Sequence, residues 1–130
     1  MPTIQRFEDI EAWMEARKLV RAVYEVSGDG RFAWDYGLRD QIQRASVSVM
    51  SNIAEGFERG GGVEFRRFLT MAKGSAAEVK SQLYVALDAG LIDEERFGSL
   101  YQQADTVSKV IGGLKRYLTN SSRKTVPEKR

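Results

Sequence analysis

Apolar residues recur at three- and four-residue steps along most of this chain, and glycine marks the places where that rhythm stops. Phe7, Ile10, Trp13, Met14, Leu19, Val20, Val23 and Tyr24 predict a first helix over about residues 9–26, with Glu8, Asp9 and Glu11 favourable near its N-terminus. Gly28 and Gly30 break the pattern, and a loop holding Phe32 and Trp34 is expected to follow. A second helix is predicted from residues 36–38 to about residue 59. A third, over about residues 63–89, repeats Phe65, Ala72, Val79 and Ala86 at every seventh position, with Phe68, Ala76 and Leu83 beside them. The fourth opens after Asp93, a suitable N-cap with Glu94 and Glu95 in the first turn. It carries Phe97, Leu100, Tyr101, Ala104, Val107, Ile111, Leu114 and Leu118, and Lys115 and Arg116 suit its C-terminal end. The prolines, Pro2 and Pro127, leave every helix between them uninterrupted. Short links between long helices favour antiparallel neighbours. The predicted fold is therefore all-α: an antiparallel, up-down-up-down four-helix bundle over residues 1–118, followed by a mobile basic C-terminal tail over residues 119–130.

The second helix carries two parallel stripes. Ile42, Val49, Ile53 and Gly56 form an apolar one, while Gln41, Ser48, Asn52 and Glu55 make the same steps one position earlier. Read together with Gly74, Ser75, Glu78 and Gln82 on the third helix, the polar stripe suggests a buried structural network of Gln41, Asn52, Glu55, Ser75, Glu78 and Gln82. Buried polar groups must find partners or cost stability. The many small residues, Ala45, Ser46, Ser48, Ser51, Ala54 and Gly56, would let a neighbouring backbone come close, and Gly56 and Gly74 are expected at helix contacts.

Composition narrows the chemistry. The 130-residue chain is the size of one domain and lacks both cysteine and histidine. That removes disulfides, thiolate nucleophiles, the usual zinc ligands and the commonest general base. No cofactor and no metal are expected. Neither a signal-peptide run nor a stretch of about 18 apolar residues occurs, so a cytoplasmic protein without membrane contact is expected. The net charge of +2 is uneven: Arg123, Lys124, Lys129 and Arg130 against Glu128 give the last twelve residues +3, leaving the body at −1.

Glu55 and Glu78 could point into a bundle core as in carboxylate-bridged metal proteins, but that chemistry uses Glu-x-x-His elements, and histidine is absent. Gly60-Gly61-Gly62 lacks the Lys-Ser/Thr of a phosphate-binding P-loop and reads as a helix–helix turn. Arg59, Arg66 and Arg67 flank that turn. With Arg44 and Lys73 they are the candidate nucleic-acid contacts, joined by the tail residues Arg123, Lys124, Lys129 and Arg130. Trp13, Trp34, Tyr36, Phe32 and Phe57 can be read as base-stacking platforms or as core and interface residues. No nucleophile, base and orienting group form a catalytic set.

Phe7 to Ile10 with Trp13, Tyr36-Gly37-Leu38, Gln41-Ile42, Arg44-Ala45, Ser48, Asn52-Ile53-Ala54-Glu55-Gly56, Glu64-Phe65, Arg67-Phe68-Leu69, Ala72, Gly74-Ser75 and Glu78 carry a resemblance. Over about residues 6–118 the chain resembles the bacterial four-helix bundle proteins encoded by intervening sequences in large-subunit (23S) ribosomal RNA genes. That resemblance implies an antiparallel bundle assembling into a ring-like homopentamer. A similar bundle serves diversity-generating retroelements as an accessory protein, whose basic pentameric barrel engages nucleic acid and a reverse transcriptase. This chain departs from the pattern at Phe32-Ala33-Trp34-Asp35, which is shorter than usual and lacks a proline. The function expected is a non-enzymatic homopentameric binding or scaffold module contacting RNA or an RNA-processing protein. One alternative is a structural protein–protein assembly indifferent to nucleic acid, and another is an enzyme using Glu55 or Glu78 as acid or base.

Overall fold

The computed structural model describes residues 4–124, the side chains of 121–124 excepted. A single 3-10 turn, Phe7–Asp9, leads into α1 (Glu11–Ser27), followed by α2 (Gly30–Trp34), α3 (Tyr36–Glu58), α4 (Gly62–Asp88) and α5 (Glu94–Lys124). Among the described residues there is no strand. The four long helices form a closed ring: α3 packs most extensively on α4, α4 on α5, and α1 seals the bundle against α3 and α5. Residues 59–61 and 89–93 are too short to do anything but reverse the chain between neighbours, which is the expected up-down arrangement.

Local chemistry sets the helix ends. The Asp35 carboxylate accepts from Leu38 N at 3.1 Å and starts α3, and Asp93 Oδ1 accepts from Arg96 N at 2.8 Å and starts α5 as expected. Helix α3 stops at a turn where Gly60 has φ +86°, and α4 stops before Gly90 at φ +73°. There Leu91 N reaches back to Ala86 O at 2.9 Å, closing the last turn.

The core is almost purely aliphatic. Leu19, Val23, Ile42, Val49, Ile53, Leu69, Val79, Leu83, Val107 and Ile111 are fully enclosed, each worth about 1.5–3 kcal/mol of burial. The apolar stripe of α3 therefore points where its spacing predicts. Residues 30–34, expected as a loop, instead form the short helix α2, which buries Phe32 completely under one end of the bundle and leaves Trp34 74% exposed. Helix α5 also continues past Leu118 to Lys124, so the tail expected from residue 119 begins inside a helix, with Thr119 Oγ1 donating to Lys115 O at 3.0 Å. Residues 125–130 lie outside the described residues.

The expected buried polar network is not in the core. Gln41, Glu55 and Glu78 are exposed, and Ser27, Ser46 and Ser75 are the buried polar residues among those described. What forms is a short chain at the α3/α4 seam: the Ser48 and Ser75 hydroxyls lie 2.9 Å apart, and Asn52 Nδ2 donates to Ser48 O at 2.9 Å and Oγ at 3.0 Å. Gln82 Oε1 is shielded from solvent and accepts no hydrogen bond. The reason is angular. Each residue turns a helix by about 100°, so a stripe one position away from the core stripe lies on the flank, where carboxylates keep their water. The two glycines also part company. A Cβ on Gly56 would stand 2.6 Å from Phe68 Cβ, whereas one on Gly74 would meet nothing within 4 Å. Gly56 is a backbone contact and Gly74 is an open surface position.

Candidate nucleic-acid interface

Helix α4 divides the candidate cations between its two flanks. Arg67 faces the α3 side, where its guanidinium bonds Glu64 at 3.1 Å and lies 5.2 Å from the centre of the Phe68 ring. Arg59, at the end of α3, bonds Glu55 at 2.9 Å and covers the same ring from 4.9 Å. These two arginines shield a buried phenylalanine, and each is matched by a carboxylate. Arg44, also on α3, lies fifteen residues before Arg59, roughly 22 Å along the axis. It borders a groove of about 730 Å³ shared with Asp40, Gln41, Ser48, Glu78 and Gln82, so acids dilute its charge.

Arg66 and Lys73 point the other way, toward α5. Arg66 Nη1 approaches Leu118 O at 3.5 Å, and Lys73 borders a groove of about 390 Å³ with Gly112, Lys115, Arg116, Thr119 and Asn120. Two turns further along, Lys80 Nζ bonds Asp105 Oδ1 at 2.8 Å, and Lys109 Nζ reaches Asp105 Oδ2 at 3.0 Å. The hydrogen bond from Lys80, and next that from Lys109, holds the Asp105 carboxyl below the usual carboxylate range. Beyond them Tyr84, Phe97 and Tyr101 form a ring cluster, with centroids 4.8, 5.8 and 5.5 Å apart.

The five body cations named from the sequence thus do not form one patch: Arg44, Arg59 and Arg67 lie on the α3 side, Arg66 and Lys73 on the α5 side. Arg123 and Lys124 belong to the last turn of α5 with side chains outside the described residues, and Lys129 and Arg130 lie beyond them. The α4/α5 seam adds four cations that sequence reasoning passed over: Lys80, Lys109, Lys115 and Arg116. A signal was present. Arg66, Lys73 and Lys80 stand seven apart, as do Lys109 and Arg116, which puts each set on a single helix flank.

Of the aromatic candidates, Phe32 is core, Trp13 packs edge-on to Phe7 at 5.2 Å, and Phe57 does the same with Phe65 at 6.0 Å. Trp34 and Tyr36 stay exposed, with Arg39 4.9 Å from the Tyr36 ring centre. Glu55 and Glu78 sit at the surface rather than in the bundle interior. No described helix is long and apolar enough to cross a membrane.

The family described as 23S rRNA-intervening sequence protein matches residues 8–113, nearly the whole bundle, and the chain belongs to that family. The chain is also similar to the crystal structure of a protein of unknown function from the S23 ribosomal protein family of Bacteroides thetaiotaomicron. The two share 17% identity over 81% of this chain and 98% of that one, with a TM-score of 0.73, a likeness of fold. No curated protein matches the chain.

Proposed function

We propose that this member of the 23S rRNA-intervening sequence protein family is a non-enzymatic cytoplasmic module. It assembles into a homopentamer and contacts RNA, or a protein that processes RNA, through the α4/α5 side of each bundle. The observation that carries the reading is the segregation of charge across α4. On the α3 side Arg59 and Arg67 are each paired with a glutamate, whereas Lys73, Lys115 and Arg116 on the α5 side line a groove that no carboxylate of the described residues borders. Uncompensated cations along one helix seam suit a polyanion better than a protein surface of mixed charge.

Self-association is supported by the family resemblance and by apolar side chains left exposed on α3 and α4, among them Val47, Val63, Met71 and Val85. Light scattering of the purified protein measures the assembly directly, and a monomer at every concentration removes the pentamer. Filter binding with single-stranded RNA tests the contact. Affinity should fall steeply as salt rises, because bound phosphates release counterions. No affinity at low salt removes the RNA reading and leaves a protein-binding assembly in its place.

A further inference from the structure

We infer that the groove between the middle of α4 and the C-terminal part of α5 is a phosphate cradle, built by Lys73, Lys115 and Arg116 over a floor at Gly112. Its ligand would be a phosphodiester of the RNA backbone. The inference rests on the proposed RNA contact but goes further, because it names one site and a shape requirement that scattered surface charge would not have.

Three observations converge on it. First, the groove of about 390 Å³ is lined by Lys73, Lys115, Arg116, Thr119 and Asn120 around Gly112, with cations and neutral polar groups but, among the described residues, no acid. Asp105, further along the seam, is held by Lys80 and Lys109. Second, the glycine floor is shared by the charges. A Cβ built on Gly112 would lie 3.7 Å from Arg116 Nη1 and 3.8 Å from Lys73 Nζ, and one on Gly113 would lie 3.8 Å from Arg116 Nη2. One point in space is therefore within reach of both cations, and the absence of a side chain keeps it open to an anion's oxygen. Third, the groove is equipped for more than charge. The planar guanidinium can bond two phosphate oxygens at once, the lysines act as point charges, and the exposed Asn120 amide adds a neutral donor.

A phosphodiester fits this set better than a carboxylate does. Its two free oxygens can bridge the guanidinium and the Lys73 ammonium, and its charge recurs along a strand that an open groove can admit.

The test separates this cradle from the RNA reading it rests on. Fluorescence anisotropy of a labelled single-stranded RNA would compare the wild-type protein with Lys73→Ala/Arg116→Ala, Gly112→Leu and Arg59→Ala/Arg67→Ala over a salt series. The first double variant is expected to bind about tenfold more weakly or worse and to lower the salt slope by about 0.7 for each phosphate that it no longer neutralises. Gly112→Leu keeps every charge but fills the floor, and should also weaken binding, while Arg59→Ala/Arg67→Ala should not. Wild-type affinity in Lys73→Ala/Arg116→Ala overturns the cradle and leaves RNA binding standing. Wild-type affinity in Gly112→Leu alone also overturns it, since the charges then act without the pocket. If the wild-type protein binds no RNA, titration with inorganic pyrophosphate followed at the Gly112 and Gly113 amide resonances decides. A saturable shift that Lys73→Ala/Arg116→Ala abolishes, and that acetate at equal ionic strength does not reproduce, upholds the cradle although the RNA reading has failed. No shift, or an equal shift with acetate, overturns it.

Discussion

Helix α4 meets α3 along one flank and α5 along the other, and the two seams solve the same packing problem by different means. Against α3 the backbone itself comes close: Gly56 lies under Phe65 and Phe68, Ser48 and Ser75 join their hydroxyls, and Arg59 and Arg67 fold over Phe68 while bound to Glu55 and Glu64. Against α5 the packing runs through longer side chains, three clustered rings in one part and lysines and arginines in the other. A seam whose charges are tied up in internal pairs has none to offer a ligand. The difference teaches that a cation's neighbours, more than its presence in a basic stretch, decide whether it is available.

The sharpest way to break this comparison is to add a side chain at a glycine of each seam. Gly56→Leu should destabilise the bundle by at least ~1–3 kcal/mol, because even its Cβ collides with Phe68. A wild-type urea midpoint would show that the α3 and α4 backbones do not meet there. Next in size, Ser75→Ala should cost about 0.5–1.5 kcal/mol by removing the hydroxyl that pairs with Ser48, and a double-mutant cycle with Ser48→Ala should show the two losses to be coupled. Full additivity would mean the pair is incidental.

On the other seam, Asp105 provides a pH-dependent handle. Its carboxyl titrates lower in the folded protein than in the unfolded chain, so its contribution is present above the ordinary carboxylate range and lost as pH falls through the folded value. Wild type should exceed Asp105→Asn in stability at neutral pH, with the gap closing in acid; a gap that persists in acid would acquit the Lys80 and Lys109 bonds. Of opposite sign, Gly112→Ala should raise stability by about 0.5–1 kcal/mol, since alanine is the better helix former and its new methyl meets neighbours only at ordinary van der Waals distance. A loss as large as that of Gly56→Leu would erase the distinction between the seams.

Much of this architecture was legible in the chain's order of residues. Apolar steps of three and four with glycine breaks located α1, α3 and α4 to within about two residues at each end, and Asp93 announced the start of α5, whose end lies six residues past the expected one. The family resemblance was legible too, through blocks such as Asn52-Ile53-Ala54-Glu55-Gly56. The candidate site was read less well. Arg66 and Arg67 are adjacent in sequence and were grouped together, yet the turn of about 100° between them sends one toward α5 and the other toward α3. Lys115 and Arg116 were assigned to helix-end electrostatics because nothing in the linear order brings them to Lys73. Gly74 and Gly56 looked equivalent as small residues in helical seams, and only a neighbour's position tells them apart.

The sequence by itself determined that this chain forms four amphipathic helices separated at glycines around an aliphatic core, because periodicity and backbone freedom are local properties. Only the tertiary structure decided which flank of each helix faces which neighbour. That choice moved the polar stripe from the interior to a seam, and it divided the arginines and lysines into those held by glutamates and those left lining a groove. Burial and pairing depend on what the rest of the chain brings within a few ångströms, and that distance is set by packing.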